Sequence, residues 1–312
     1  MRSPLAASAP SPAASNDSSV ALIIRSLRPA QWTKNLFVFA GLVFGKRLTD
    51  AGAVGAAIAT FGIFCALSGA VYLYNDVSDR AADQAHPLKR FRPIASGRLS
   101  TRVALVTAAG LGGSAVGAAW LISPTLALVS GSYLAFLLLY SAVLKHIVIA
   151  DVLTIAFGFV LRAVAGAVAV AVPISDWLLM CTTLLALFLA LSKRRHELTL
   201  LADSAGGHRP ILEEYTPYLL DQMVGVVTAS TLVAYAFYAI SADTAENLGT
   251  DRLILTVPFV LYGIFRYLYL VHQKHGGGSP AELLLTDRPL LACVGLWIVT
   301  LVLLLYTPLG GR

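Results

Sequence analysis

The stretch Asn75-Asp76-Val77-Ser78-Asp79-Arg80-Ala81-Ala82-Asp83 follows an apolar run, residues 51–74, that carries no charged side chain. A membrane-spanning helix needs about 20 mostly apolar residues, so 51–74 reads as a crossing that ends in acids. If the helix continues through Asp83, then Asp76, Asp79 and Asp83, spaced three and four apart, share one face. Asn75 then lies a turn from Asp79 on the same side. Carboxylates at this spacing repel one another, and acids have no part in setting membrane topology. A solvated polar loop accounts for the neighbouring Lys and Arg but not for three acids in helical register. Magnesium removes the repulsion, because it binds few carboxylates and completes its shell with phosphate oxygens and water. Asn75, Asp76, Asp79 and Asp83 are therefore the candidate metal ligands. The basic cluster that follows, His86-Pro87-Leu88-Lys89-Arg90-Phe91-Arg92-Pro93, is suited to phosphate.

The rest of the chain repeats the apolar theme. Its 312 residues are 57% hydrophobic and 13% charged, about half the charged share of a soluble domain. Nine candidate spans fall near residues 31–47, 51–74, 101–121, 124–144, 147–171, 177–193, 216–240, 253–272 and 288–308. The first is the shortest and is polar at its start. Residues 1–24, rich in Ala, Ser and Pro, read as a disordered cytoplasmic tail, and residues 25–312 as a single membrane domain. Cys65, Cys181 and Cys293 lie far apart within apolar runs and read as small buried hydrophobes.

The net charge of +6 is explained by topology before nucleic acid. Arg and Lys gather before span one, between spans two and three, at Lys145, at residues 193–195 and at Lys274. The alternate connections are nearly bare, with Lys46 and Arg47 the exception. By the positive-inside rule, the N-terminus and both large polar loops, 75–100 and 193–215, face the cytoplasm of a plasma-membrane protein. A phosphorylated, water-soluble substrate can reach both.

Further candidates follow from chemistry. Gln31, Lys34 and Asn35 lie within one turn beside Trp32, at an interfacial anchor or facing the polar mouth. Lys193 and Arg194 are placed to neutralise phosphate. Glu197 is placed to accept a hydroxyl, to bind metal, or simply to pair with Lys193. Arg162, inside the fifth span, shares a face with Asp151 three turns away and either ties to it or faces a cavity. Tyr140 belongs to the aromatic belt or to the site, and Tyr262, Tyr267, Tyr269 and Arg266 read as belt.

The motif Asn75-Asp76-x-x-Asp79-x-x-x-Asp83 between the second and third of nine spans resembles the UbiA superfamily of intramembrane prenyltransferases. The resemblance implies an all-α membrane bundle of nine transmembrane helices around a central cavity open to the cytoplasmic side. The motifs Arg28-Pro29-x-Gln31-Trp32-x-Lys34-Asn35, His86-Pro87-x-Lys89-Arg90-x-Arg92-Pro93 and Ser192-Lys193-Arg194-Arg195-x-Glu197 are similar to one branch of that superfamily. That branch transfers 5-phosphoribose from phosphoribosyl pyrophosphate (PRPP) to decaprenyl phosphate for cell-wall arabinan precursors. One departure from ordinary members favours it. They carry a second aspartate motif after span six, where this chain has Lys193-Arg194-Arg195-His196-Glu197 and no acid pair, the nearest downstream acid being Asp203.

The resemblance thus implies Mg2+, PRPP and a polyprenyl phosphate. Asp76, Asp79 and Lys193 would serve the reaction, and Gln31, Lys34, Asn35, Lys89, Arg92, Tyr140, Arg162, Arg194 and Glu197 would bind substrate. The readings that compete with it are an aromatic prenyltransferase using a prenyl diphosphate and, more distantly, a transporter of a phosphorylated solute. Small-residue helix faces are compatible with a homo-oligomer.

Overall fold

Polar caps decide where the helices begin. Asp50, Ser100, Ser123, Thr216 and Asp287 each accept a backbone N–H from the first turn of the helix that follows. Such donors have no other partner at the edge of an apolar solvent. Pro124 and Pro217 then open their helices at the position where a missing N–H costs nothing.

A computed structural model of the chain describes residues 18–202, 211, 214–274, 283–284 and 286–307, without the side chains of 199–202. The expected tail up to residue 17, Asp203 and Arg209 lie outside the described residues. The α-helices are α1 (Ser19–Ser26), α2 (Ala40–Phe44), α3 (Ala51–Ser78), α4 (Arg80–Ala85), α5 (Thr101–Ile122), α6 (Pro124–Ala142), α7 (Ala150–Ala169), α8 (Asp176–Ala202), α9 (Pro217–Ile240), α10 (Ala242–Leu248), α11 (Val257–Gln273) and α12 (Arg288–Tyr306). Among the described residues eight helices are long and apolar enough to cross a membrane: α3, α5 to α9, α11 with the turn before it, and α12. The protein is an integral, multi-pass membrane protein.

The first expected span takes another form. Pro29–Phe39 is an 11-residue 3₁₀ helix that runs into the five residues of α2. A 3₁₀ helix rises about 2.0 Å per residue against about 1.5 Å for an α-helix. The short pair therefore covers on the order of 30 Å, the depth of the hydrocarbon layer. Its fit against α7 is backbone to backbone. A Cβ added to Gly166 would stand 1.8 Å from the Val38 carbonyl oxygen, and one added to Gly41 would stand 2.7 Å from the Ala167 backbone. Small residues permit this approach where packing, not water, drives association.

Residues 19–24, which composition places in the tail, form most of α1. Its apolar side finds a place: Ile23 and Leu27 pack on Leu73, Ile94 and Leu99, and Leu27 fills the space that a side chain at Gly69 would need.

Among the described residues the two largest apolar clusters share α7. One joins the 3₁₀ segment, α3, α5, α6 and α7 around Phe64, Leu67, Leu126 and Tyr133. The other joins α7, α8, α9, α11 and α12 around Phe188, Leu191, Leu220 and Tyr267. Tyr267 therefore belongs to the core, edge-on to Phe188 with ring centroids 5.1 Å apart, within the range of about 4.5–7 Å usual for aromatic pairs, and not to a belt. Tyr262 and Tyr269 are exposed. Arg266 stacks on Tyr269 and bonds Asp287 through two nitrogens at 2.8 and 3.1 Å. All three cysteines are free.

Candidate active site at the mouth of the bundle

The acids sit where α3 gives way to α4. Asp79 steps out of helical geometry, yet Asp79 N–H still bonds the Asn75 carbonyl and Asp83 N–H the Asp79 carbonyl, both at 2.8 Å. These two bonds keep helical spacing across the break at Asp79, and Arg92 joins Asp76 to Asp83. Asn75 Nδ2 donates to Asp79 at 2.9 Å.

Each acid meets a cation. Arg28 and Arg92 both donate to Oδ1 of Asp76. Arg92 Nη1 lies 3.2 Å from that oxygen and 2.7 Å from Asp83 Oδ2. Lys145, on the turn between α6 and α7, donates to Asp79. Asp76 and Asp83 are buried, and Lys145 is only 10% exposed, a depth that lysine reaches almost only when paired. Arg28 holds φ at +54°, unfavourable for a side-chain-bearing residue, and stacks its guanidinium over Tyr72 at 5.0 Å. Arg25, Arg28, Asp76, Phe91, Arg92 and Pro93 are among the residues lining a pocket of about 170 Å³.

Among the described residues no three His, Cys, Asp or Glu side chains stand close enough to cage a metal unaided. Magnesium asks for less: one or two carboxylates, waters and substrate phosphates. The hard oxygens of Asp76, Asp79, Asp83 and Asn75 suit it. A positive nitrogen of Arg92 already sits between two of these carboxylates. The residues present therefore fit a divalent cation.

Facing the acids is a basic side. Lys34, half-buried on the 3₁₀ segment, feels the positive charges of Lys193, Arg162 and Arg28. Lys193 is 43% exposed and stands 3.6 Å from Glu197. Arg194 differs from both. Its side chain is buried and donates to Asp151 at 2.8 Å and Glu197 at 2.7 Å, and Tyr140 is near enough to sense its charge. Tyr215 completes this knot by donating to Asp151 and accepting the Ile149 N–H, both at 2.8 Å. Burial above all pushes the Tyr215 hydroxyl up to about 12, so it keeps the proton that it donates. Arg195 turns away to Asp221, which His272 also approaches at 3.3 Å.

Arg162 lies deeper. It donates to Asn35 at 2.7 Å, to Tyr133 at 2.6 Å and to the Gly158 carbonyl at 2.9 Å. Ser68 joins Asn35 and Tyr133, and Asn35 also donates to Cys65. The tie to Asp151 weighed from the sequence does not form. Eleven residues of helix put the two side chains about 16 Å apart, and Asp151 is held by Arg194 instead. Asn35 is fully buried in this network, while Lys34 beside it remains half-buried. Gln31 is also half-buried, its N–H bonded to the Arg28 carbonyl. Lys89 is half-buried, and its N–H bonds His86 Nδ1.

The structure thus draws Asn75, Asp76, Asp79, Asp83 and Arg92 into one cluster, and Lys193, Arg194, Glu197 and Tyr140 into the vicinity of another. Sequence reasoning passed over four participants. Arg28 and Lys145 read as topological charge, Asp151 as a partner for Arg162, and Tyr215 as nothing in particular. A buried acid at a span's end, such as Asp151, is itself a signal.

These features define a polytopic membrane enzyme with its polar chemistry at one end of a helical bundle. The chain belongs to the UbiA prenyltransferase family, which it matches over residues 35–283. It is 34% identical over 287 residues to the decaprenyl-phosphate phosphoribosyltransferase of Mycobacterium tuberculosis, covering 90% of this chain and 93% of that one. It is 34% identical over 294 residues to the protein of the same name in Corynebacterium glutamicum, covering 91% and 86%. A UbiA homolog from Archaeoglobus fulgidus bound to DMAPP and Mg2+ shares its fold, with a TM-score of 0.70 at 18% identity over 89% of this chain and 97% of that one. The same homolog has also been solved with Cd2+.

Proposed function

We propose that the protein transfers 5-phosphoribose from PRPP to a polyprenyl phosphate and releases pyrophosphate. In this reading the chain crosses the plasma membrane nine times, counting the 3₁₀ segment with α2, and the acidic mouth faces the cytoplasm. The observation that carries it is the asymmetry of the mouth. Asp76, Asp79 and Asp83 stand on the α3–α4 side, and α8 brings the part-exposed Lys193 near Lys34, while Arg194 is locked between Asp151 and Glu197. A prenyl diphosphate held through two aspartate motifs lacks half its site here. A donor with a pyrophosphate at one end and a phosphate at the other suits an acidic and a basic half. The two phosphoribosyltransferase relatives, similar over about nine-tenths of the chain, support the same choice.

Asp76 and Asp79, with Asn75 and Asp83, would hold Mg2+, which when bound neutralises charge on the leaving pyrophosphate. Lys34 and Lys193 would add positive charge where the anion develops. The ribose C1–O bond to pyrophosphate breaks through an oxocarbenium-like transition state. An oxygen of the lipid phosphate forms the new bond to C1. That phosphate is already ionised, so no general base is required and orientation is the main demand.

The test uses purified protein with decaprenyl phosphate, Mg2+ and PRPP labelled in the ribose, against a labelled prenyl diphosphate with an aromatic acceptor. Label from PRPP in the organic phase, lost in Asp76→Ala, is expected. Label moving only from the prenyl diphosphate would return the chain to ordinary prenyl transfer.

A further inference from the structure

The cations that hold the acids come from three separate parts of the chain. Arg28 stands between α1 and the 3₁₀ segment, Arg92 follows α4, and Lys145 lies between α6 and α7. Positive-inside topology asks for charge on these connections, but it does not ask for contact with Asp76, Asp83 and Asp79. The contacts are also costly to a metal. Asp76 Oδ1 accepts two guanidinium bonds at once, and both Asp79 oxygens are engaged, by Lys145 and by Asn75.

Arg28 and Arg92 are each 28% exposed and border the same pocket of about 170 Å³. They therefore have room to turn without unpacking the bundle. We propose that Arg28 and Arg92 are exchangeable partners, paired with the acids as seen here and transferred to the donor's phosphate oxygens once the acids take a divalent cation. This rests on the reading above that the acids bind metal and the donor carries phosphates.

The consequence is thermodynamic. A divalent cation arriving alone must displace two guanidinium groups from their carboxylates. A phosphate arriving alone finds those cations already engaged by carboxylates. When both arrive, every displaced charge gains a partner. Metal and pyrophosphate then bind cooperatively, and the coupling is reciprocal.

The experiment measures Mn2+ bound to the full chain in nanodiscs, separated from free ion by rapid gel filtration and read by electron paramagnetic resonance. It is run with and without inorganic pyrophosphate. In the wild type pyrophosphate tightens Mn2+ binding by at least about fivefold, the low end of usual couplings. Arg92→Gln binds Mn2+ alone more tightly than wild type, and the gain from pyrophosphate shrinks. Arg90→Gln is the charge control, since Arg90 stacks on Phe91 and makes no acid contact among the described residues.

Equal Mn2+ affinity in Arg92→Gln and Arg90→Gln overturns the exchange but leaves the metal reading intact, provided that Asp76→Asn abolishes binding. No Mn2+ binding in the wild type even with pyrophosphate overturns both. Arg28→Gln repeats the measurement should Arg92→Gln fail to fold.

Discussion

Arg92 and Arg194 each bridge two carboxylates, Asp76 with Asp83 in one case and Asp151 with Glu197 in the other. Their surroundings separate them. The Arg194 side chain is 3% exposed and its partner Asp151 is wholly buried, with Tyr215 closing the remaining oxygen. Arg92 is 28% exposed and borders a pocket. The same guanidinium chemistry makes a bolt where water is excluded and a movable partner where a ligand can enter. A buried pair is expensive to break because the group left behind is an unpaired charge; Asp76 is buried too, but it keeps Arg28 if Arg92 turns away.

The contrast is broken most severely at the bolt. Arg194→Gln leaves Asp151 uncompensated and is expected to cost about 3–5 kcal/mol of stability, read as the denaturant or thermal midpoint of the protein in detergent. Arg92→Gln is expected to cost less in the same measurement, because Asp76 keeps Arg28 when Arg92 is removed. Comparable losses in the two variants would erase the distinction.

Gly166→Ala comes next. Its new methyl meets the Val38 carbonyl and must push the 3₁₀ segment off α7, an overpacking cost of about 1–3 kcal/mol. Because Lys34 rides on that segment, a raised KM for PRPP should accompany the loss of stability.

Arg92→Gln sharpens the comparison in kinetics. A charge-assisted hydrogen bond to a phosphate contributes about 1.5–3 kcal/mol, so kcat/KM for PRPP should fall by about tenfold or more while stability falls less than in Arg194→Gln. A variant with wild-type kcat/KM would place Arg92 with the structural arginine.

The smallest effect concerns the turn that carries Arg92. His86 Nδ1 accepts the N–H groups of Leu88 and Lys89 at 3.1 and 3.3 Å, a role only for the neutral ring. Burial, then the charge of Lys89, holds its pKa below the ordinary 6.5. The folded value lies below the unfolded one, so this stabilisation is complete above about pH 6.5 and is lost as pH falls. Amide exchange at Leu88 and Lys89, corrected for intrinsic rates, should quicken between about pH 7.5 and about pH 5.5, and an unchanged rate would count against it.

Much of this was legible in the chain itself. Helices α3, α5 and α6 begin and end close to where charge-free runs meet Asp50, Ser100 and Ser123, because caps are local and composition records them. The acids' shared register was legible for the same reason. The 3₁₀ form of the first segment was not, since its apolar content suits either helix. Tyr267 was misplaced because belt and core tyrosines both lie near helix ends, and only the neighbouring helix carrying Phe188 decides between them. The pairing of Asp151 with Arg194 and of Asp76 with Arg28 joins residues far apart in sequence. Spacing within one helix reports a face and is silent about what crosses to it.

The central claim is transfer of phosphoribose at an acidic and basic mouth, and its most direct test follows both products at once. Wild-type protein, Asp76→Ala and Lys193→Gln are given ribose-labelled PRPP, decaprenyl phosphate and Mg2+, and lipid-borne label is compared with released pyrophosphate. The account predicts equal amounts of the two in the wild type, none of either in Asp76→Ala, and reduced but still equal amounts in Lys193→Gln. Pyrophosphate released without labelled lipid, or lipid labelled without magnesium, would contradict it.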